Sequence, residues 1–243
     1  MIQPVAVLGG GASEKFQSRA RIVRRRFRVG MRSRIIPPMI YDITLPLDAG
    51  TAEWPGDTRF QLARVARLEE GHSVNLSGLT VSPHTGSHVD APFHFLPDGA
   101  TIDALPLEVF IGPARVVEVP GRAVITVADL EACDFADTPR LLLKTSGWPD
   151  PAKFPESIPV LAPEVPAWLG ARGVRLLGVD LPSVDQIDSK TLSIHKALAA
   201  AGIHILESLT LAAVPAGRYE LIALPLKITG ADAAPVRAML RTL

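Results

Sequence analysis

Cysteine is nearly absent: Cys133 is the only one in 243 residues. No internal disulfide and no cysteine-rich zinc site can form, so any metal must be held by histidine and carboxylate, and the chain suits a reducing compartment, the cytoplasm. Long apolar runs are missing too. Although 47% of the residues are hydrophobic, proline, glycine or charge interrupts every stretch short of the roughly 20 residues a membrane helix needs. No membrane association is expected. Net charge is also absent, with 25 basic and 25 acidic side chains. What remains is a globular composition long enough for one sizeable core.

The neutrality conceals an asymmetry. Residues 1–39 carry nine basic side chains against one acid, Glu14, a net of +8, and the remainder is therefore −8. This basic segment shows no clean hydrophobic period and ends at "IIPPMIYDITLPL", where strand-like alternation begins. It reads as an appendage to a domain of residues 40–243. Three origins stay open for it: a start placed upstream of Met31 or Met39, an Arg-rich targeting peptide, or a nucleic-acid-binding arm. For the domain itself no nucleic-acid partner is expected. The run Gly9–Gly11 lacks the strand and helix that a dinucleotide loop requires around it.

From residue 40 onward, alternation and apolar runs predict strands in "IYDITLPL", "FQLARVARL", "VNLSGLTVS", "RLLLKTS", "VRLLGVD", "IHILESLTL" and "YELIALPLKI". Helices are expected after Thr126, over "APEVPAWLGARG" and over "SIHKALAAAG", with "APVRAMLRTL" as a C-terminal tail. Strands dominate, no internal repeat or linker appears, and the expected fold class is a single mixed α/β domain.

Three of the six histidines lie in "HTGSHVDAPFH", residues 84–94. On a straight strand His84 and His94 would stand roughly 33 Å apart, whereas ligands of one metal lie about 2 Å from it. The chain therefore has to bend, and Gly86 and Pro92 suit a compact strand-end loop that gathers His84, His88 and Asp90. Imidazoles and a carboxylate suit a divalent ion; three separately satisfied histidines with a turn-forming Asp remain the alternative on spacing alone.

The segment resembles the H-x-G-[TS]-H-x-D-x-P-x-H signature of the metal-dependent cyclase family. The likeness extends over most of residues 40–243, through "EWPGDTRF", "GVDLPSVDQIDSKTLSIHKAL", "ILESLTL" and "VPAGRYELIALPLKITGADAAPVRAML", and is strongest to the family's bacterial kynurenine formamidase branch. The resemblance implies a swivelling β/β/α type of fold with two divalent metals, usually zinc, with manganese or cobalt also accepted by such donors. It implies His84, His88, Asp90, His195 and Glu207 as ligands, with Asp90 and Glu207 shared between the ions. His94 corresponds to the general acid/base and Trp54 to a substrate-contacting aromatic. The chain departs from the branch at Lys196, where a second histidine often follows the ligand.

The implied reaction is hydrolysis of a formylated arylamine, N-formyl-L-kynurenine, to L-kynurenine and formate in tryptophan degradation. Another hydrolase of the family, acting on an isatin-like cyclic amide, a lactone or another acyl substrate, is the alternative; a non-catalytic metal-binding protein is the third. The resemblance further implies a homodimer or larger assembly.

Overall fold

The computed structural model describes residues 38–131, 133 and 138–243; the expectations attached to the basic segment lie outside them, apart from residues 38 and 39. Thirteen strands appear in chain order among the described residues. They are β1 (Ile40–Asp42), β2 (Gln61–Ala66), β3 (Leu76–Thr80), β4 (His88–Asp90), β5 (Ile111–Glu118), β6 (Val124–Ile125), β7 (Arg140–Lys144), β8 (Val160–Leu161), β9 (Leu176–Val179), β10 (His204–Glu207), β11 (Gly217–Ile222), β12 (Ala233–Pro235) and β13 (Met239–Thr242). The helices are α1 (Val127–Glu131), α2 (Val165–Gly170) and α3 (Ser193–Ala200).

Nine strands form one mixed sheet in the order β1-β13-β11-β5-β7-β9-β10-β4-β12. The links β5–β7, β7–β9 and β9–β10 are parallel and the others antiparallel. Such a sheet cannot be flat. Strands spaced about 4.8 Å apart would put β12 and β13 roughly 34 Å from each other. Only the chain from Pro235 to Met239 joins them, and it reaches about 14 Å when fully extended. The sheet therefore curls until its ends approach, and a bridge between Thr44 and Leu209 ties the segment after β1 to the segment after β10.

Side-chain alternation then divides the core. Val89, Val116, Leu142, Leu206, Leu221 and Leu240 fill the inside of the curl together with Phe110. Their neighbours Val117, Leu141, Leu143, Leu177 and Ile205 face outward and are covered by Leu130, Val165, Leu169 and Leu198 of the three helices. The strands buried on both faces are the continuous apolar runs of the sequence. The expected single mixed α/β domain is what the described residues form.

One expectation needs correction, and one strand is not expected from the sequence at all. The supposed tail supplies β12 and β13, with Ala234 and Leu240 fully buried; its short period-2 alternation is easily overlooked. Residues 111–118 carry no sequence expectation because Gly112 and Pro113 interrupt the apolar pattern, yet β5 there pairs with both β7 and β11. "FQLARVARL" and "VNLSGLTVS" do become strands, paired as a separate two-stranded hairpin, β2–β3.

Ser87 closes the curl. Its buried hydroxyl accepts a hydrogen bond from Leu45 N at 2.8 Å and donates to Ser208 O at 2.6 Å, joining the segment after β1, the entry to β4 and the exit from β10. Ser87→Ala leaves two buried backbone groups without partners. We expect a loss of about 1–3 kcal/mol in chemical denaturation; a loss under about 0.5 kcal/mol would show that the closure does not depend on this hydroxyl.

Candidate metal and hydrolytic site

The site begins with sheet register. In β4, His88 and Asp90 share the outward face while Val89 points into the curl. β10 runs antiparallel to β4 with Glu207 opposite His88 and Ile205 opposite Asp90, which sets the second carboxylate beside the first imidazole. His195 enters from α3, and His84 from the turn before β4. Gly86 in that turn has φ +72°, and a Cβ on it would come within 2.5 Å of Leu47 Cδ2, so the bend requires glycine. His94 ends the one-turn 3₁₀ segment Pro92–His94. The expected loop is thus only partly a loop: strand pairing, rather than chain bending, places His88, Asp90 and Glu207.

The five residues converge. Asp90 Oδ1 lies 3.1 Å from His84 Nδ1 and 3.3 Å from His88 Nε2, and Asp90 Oδ2 lies 3.3 Å from His195 Nε2. Glu207 offers Oε2 to His88 Nε2 at 3.4 Å and Oε1 to His195 Nε2 at 3.6 Å. Among the described residues three groups have donor atoms within 4.8 Å of one another: His84–His88–Asp90 and Asp90–His195–Glu207, both drawn from these five residues, and the less buried His84–His94–Asp232 at the cavity edge. The first two share Asp90.

His88 Nε2 and both carboxylate oxygens of Asp90 are buried without a hydrogen-bond partner. Orphaned polar atoms are costly in a dry interior, and a divalent ion would satisfy all three. The donor set, imidazole nitrogens and carboxylate oxygens without thiolate, fits such an ion.

The electrostatics agree. Burial raises the Glu207 carboxyl above its ordinary range, and the nearby Asp90 charge adds to the rise. At Asp90 burial also acts upward, but the surrounding imidazoles outweigh it and hold this carboxyl well below the usual range. Burial pulls His88 down, yet Asp90 and Glu207 prevail and hold it up to about 10. At His195 burial is likewise overcome, by Asp185 and Asp90, to about 10. Two carboxylates thus demand positive charge at neutral pH, from protons or from metal.

Two further acids, absent from the sequence expectations, complete the arrangement. Asp185 Oδ2 sits 2.6 Å from His195 Nδ1 and accepts from the backbone N–H of His195, while its two oxygens accept from Ile194 N–H. It both orients the ring and caps α3, leaving Nε2 for a metal. Asp232, in the loop before β12, places Oδ2 3.0 Å from His84 Nε2 and 3.6 Å from His94 Nδ1. Neither carries a local signal: Asp185 stands eight residues before α3, too far for a capping motif, and Asp232 lies far along the chain from both histidines.

His94 borders the same cavity, its ring centroid 4.1 Å from that of His84 and 6.1 Å from that of His195. Burial lowers its pKa below the ordinary histidine value, so at pH 7 the ring is neutral and able to accept a proton. The cavity encloses about 400 Å³, within the range typical of small-molecule sites. Trp54 lies on its wall, edge-on to Phe154 at 5.0 Å. Lys196 is exposed, so the departure from the paired-histidine pattern falls outside the converging cluster. His204 faces the opposite side of β10, against Phe110 at 5.8 Å.

Because His88 and His195 hold protons in the absence of metal, binding must displace them. Affinity for a divalent ion therefore falls as pH falls from 8 to 6. Calorimetric titration with Zn²⁺ in buffers of different ionisation enthalpy should register proton release; heats independent of buffer would contradict this account.

A family model described as "Putative cyclase" matches residues 41–186, a span that includes His84, His88, Asp90 and His94. A protein from Bacillus cytotoxicus named kynurenine formamidase is 47% identical over 202 residues, covering 83% of this chain and 97% of that one. Among solved structures, a "predicted metal-dependent hydrolase" from Bacillus stearothermophilus superposes with a TM-score of 0.72 at 29% identity, over 85% of this chain and 99% of that one. Isatin hydrolase A from Ralstonia solanacearum, at 24% identity and a TM-score of 0.73 over 85% and 92% of the two chains, shares the fold. With well over half of the chain matched by the family model and one relative near half identical along almost its whole length, the chain belongs to the cyclase family.

Proposed function

We propose that the protein is a metal-dependent arylformamidase that hydrolyses N-formyl-L-kynurenine to L-kynurenine and formate, in tryptophan degradation by the kynurenine pathway. The observation that carries the chemistry is the pair of donor groups sharing Asp90, with a neutral His94 beside them on one cavity. The likeness to the Bacillus cytotoxicus protein supports the substrate.

Two divalent ions are assigned to the site, zinc preferred over manganese or cobalt: His84, His88 and Asp90 would hold one, His195 the other, with Asp90 and Glu207 between them. Such ions supply Lewis acidity, polarising the formyl carbonyl and making water a usable nucleophile near neutral pH. His94 supplies what Lewis acidity does not. With Nδ1 toward Asp232, Nε2 is the nitrogen that accepts the proton of the attacking water and returns it to the departing aryl nitrogen, which would otherwise leave as an unprotonated anilide. Trp54 offers its ring to the substrate's aryl face.

A homodimer or larger assembly is part of the proposal. The β2–β3 hairpin leaves Leu62, Val65, Leu76 and Leu79 at least half exposed, and an isolated two-stranded sheet is marginal in water. A cytoplasmic location is also part of the proposal, in keeping with the single cysteine; no helix of the described residues is long and apolar enough to cross a membrane. Residues 1–39 are proposed to be an extension outside the enzyme domain.

The test is formate release from N-formyl-L-kynurenine by metal-replete protein, with isatin run beside it. His94→Ala should keep the wild-type metal content while turnover falls by about 10²- to 10⁴-fold. Turnover of isatin alone would move the assignment to cyclic-amide hydrolysis. For assembly, Leu62→Ser with Leu79→Ser should shift the light-scattering mass toward that of one chain; an unchanged mass would place the interface elsewhere.

A further inference from the structure

Besides its histidines, the catalytic cavity is lined by three acidic or basic side chains: Glu207, Asp57 and Lys190. Glu207 belongs to the ligand cluster at its base. Asp57 and Lys190 come from two separate loops, the first between β1 and β2, the second between β9 and α3, and they carry opposite charges. Neither enters an ion pair among the described residues. Two unmatched charges of opposite sign on one small-molecule cavity suit a ligand bearing both signs.

Their mounting supports this. Asp57 N–H donates to Trp54 O at 2.9 Å, so one tight turn presents an indole and a carboxylate to the same cavity. Asp57 Oδ1 accepts from Thr58 N at 2.6 Å, which fixes the side chain and leaves Oδ2 uncommitted. Lys190 is exposed and adjoins Ser189, which also lines the cavity. Its ammonium brings three donors on a flexible stem.

We infer that Asp57 and Lys190 form a subsite for a zwitterionic amino-acid head, Asp57 receiving the α-ammonium and Lys190 the α-carboxylate. This rests on the arylformamidase reading and specifies what the enzyme selects. In an N-formylated arylamine whose ring also carries an amino-acid side chain, the formyl group goes to His94 and the ligand cluster. The charged head is carried by the side chain on the neighbouring ring position, several bonds from the reacting carbon. A neutral cyclic amide has no such head and gains nothing from either residue. The contacts act on binding remote from the reacting bond, so they govern KM more than kcat.

The experiment compares N-formyl-L-kynurenine with 2′-formamidoacetophenone, the same aryl formamide without the amino-acid head, on wild type, Asp57→Asn and Lys190→Gln, all metal-replete. Asn retains an oxygen for the Thr58 N–H, and both positions are solvent-accessible, so folding should survive. Each variant should lose about tenfold in kcat/KM on the full substrate through KM, with the truncated substrate within twofold of wild type. Replacing the ammonium by hydrogen should abolish sensitivity to Asp57→Asn and preserve sensitivity to Lys190→Gln; removing the carboxylate should do the reverse. Equal losses on full and truncated substrates would overturn the subsite, as would wild-type enzyme that hydrolyses both equally well, and either result leaves the formamidase assignment intact. Hydrolysis of neither by metal-replete wild type would overturn the formamidase reading itself and the subsite with it.

Discussion

Asp90 and Glu207 are two carboxylates buried in one dry pocket, each below 5% exposed, and their charge is the constraint around which the site is organised. Like charges that close do not both ionise in an interior unless cations neutralise them. The chain surrounds them with His84, His88 and His195, and two of those imidazoles stay protonated to about pH 10 when nothing else supplies positive charge. A divalent ion answers the same demand with full ligation, which the orphaned atoms of His88 and Asp90 lack. Asp185 and Asp232 then act from outside, each holding one ring of this inner group at a fixed angle.

Such precision needs rigid mounting, and the curled sheet provides it. His88, Asp90 and Glu207 lie on paired strands whose register is locked from the other side by Val89 and Leu206 in the core. A slip of one residue would turn both carboxylates into the curl. His195 depends on helix packing instead, with Asp185 tying the start of α3 to its own ring. His94, the group assigned to move a proton, stands on a short turn at the cavity edge, where a ring can meet both substrate and ligand cluster. Burial pushes both kinds of histidine downward, and the carboxylates decide the difference: Asp90 and Glu207 hold His88 up inside the cluster, whereas His94 beside it stays below its ordinary value.

Much of this was legible in the sequence, because the informative residues are close neighbours. Three histidines and an Asp within eleven residues make a metal site an expectation, Gly86 marks the bend, and the lone cysteine restricts the donors to nitrogen and oxygen. Period-2 alternation also separates Glu207 from His204 on opposite faces of β10, and the structure agrees. Where the pattern was broken, reading failed. Gly112 and Pro113 hid β5, and alternation too short to stand out made β12 and β13 look like a tail.

By itself the sequence determined the donor chemistry, the local turns and the two-faced strands, since these depend on residue type and on spacing over a few positions. Only the tertiary structure decided that β10 lies between β9 and β4, that the last ten residues close the sheet, and that Asp232 reaches His84 across 148 positions of chain. It also decided that Asp57 and Lys190 open onto one cavity. The physical reason is that local patterns specify which face of an element is apolar, whereas the partner that covers that face is chosen by the closing of long loops and the joint packing of both sides of the sheet.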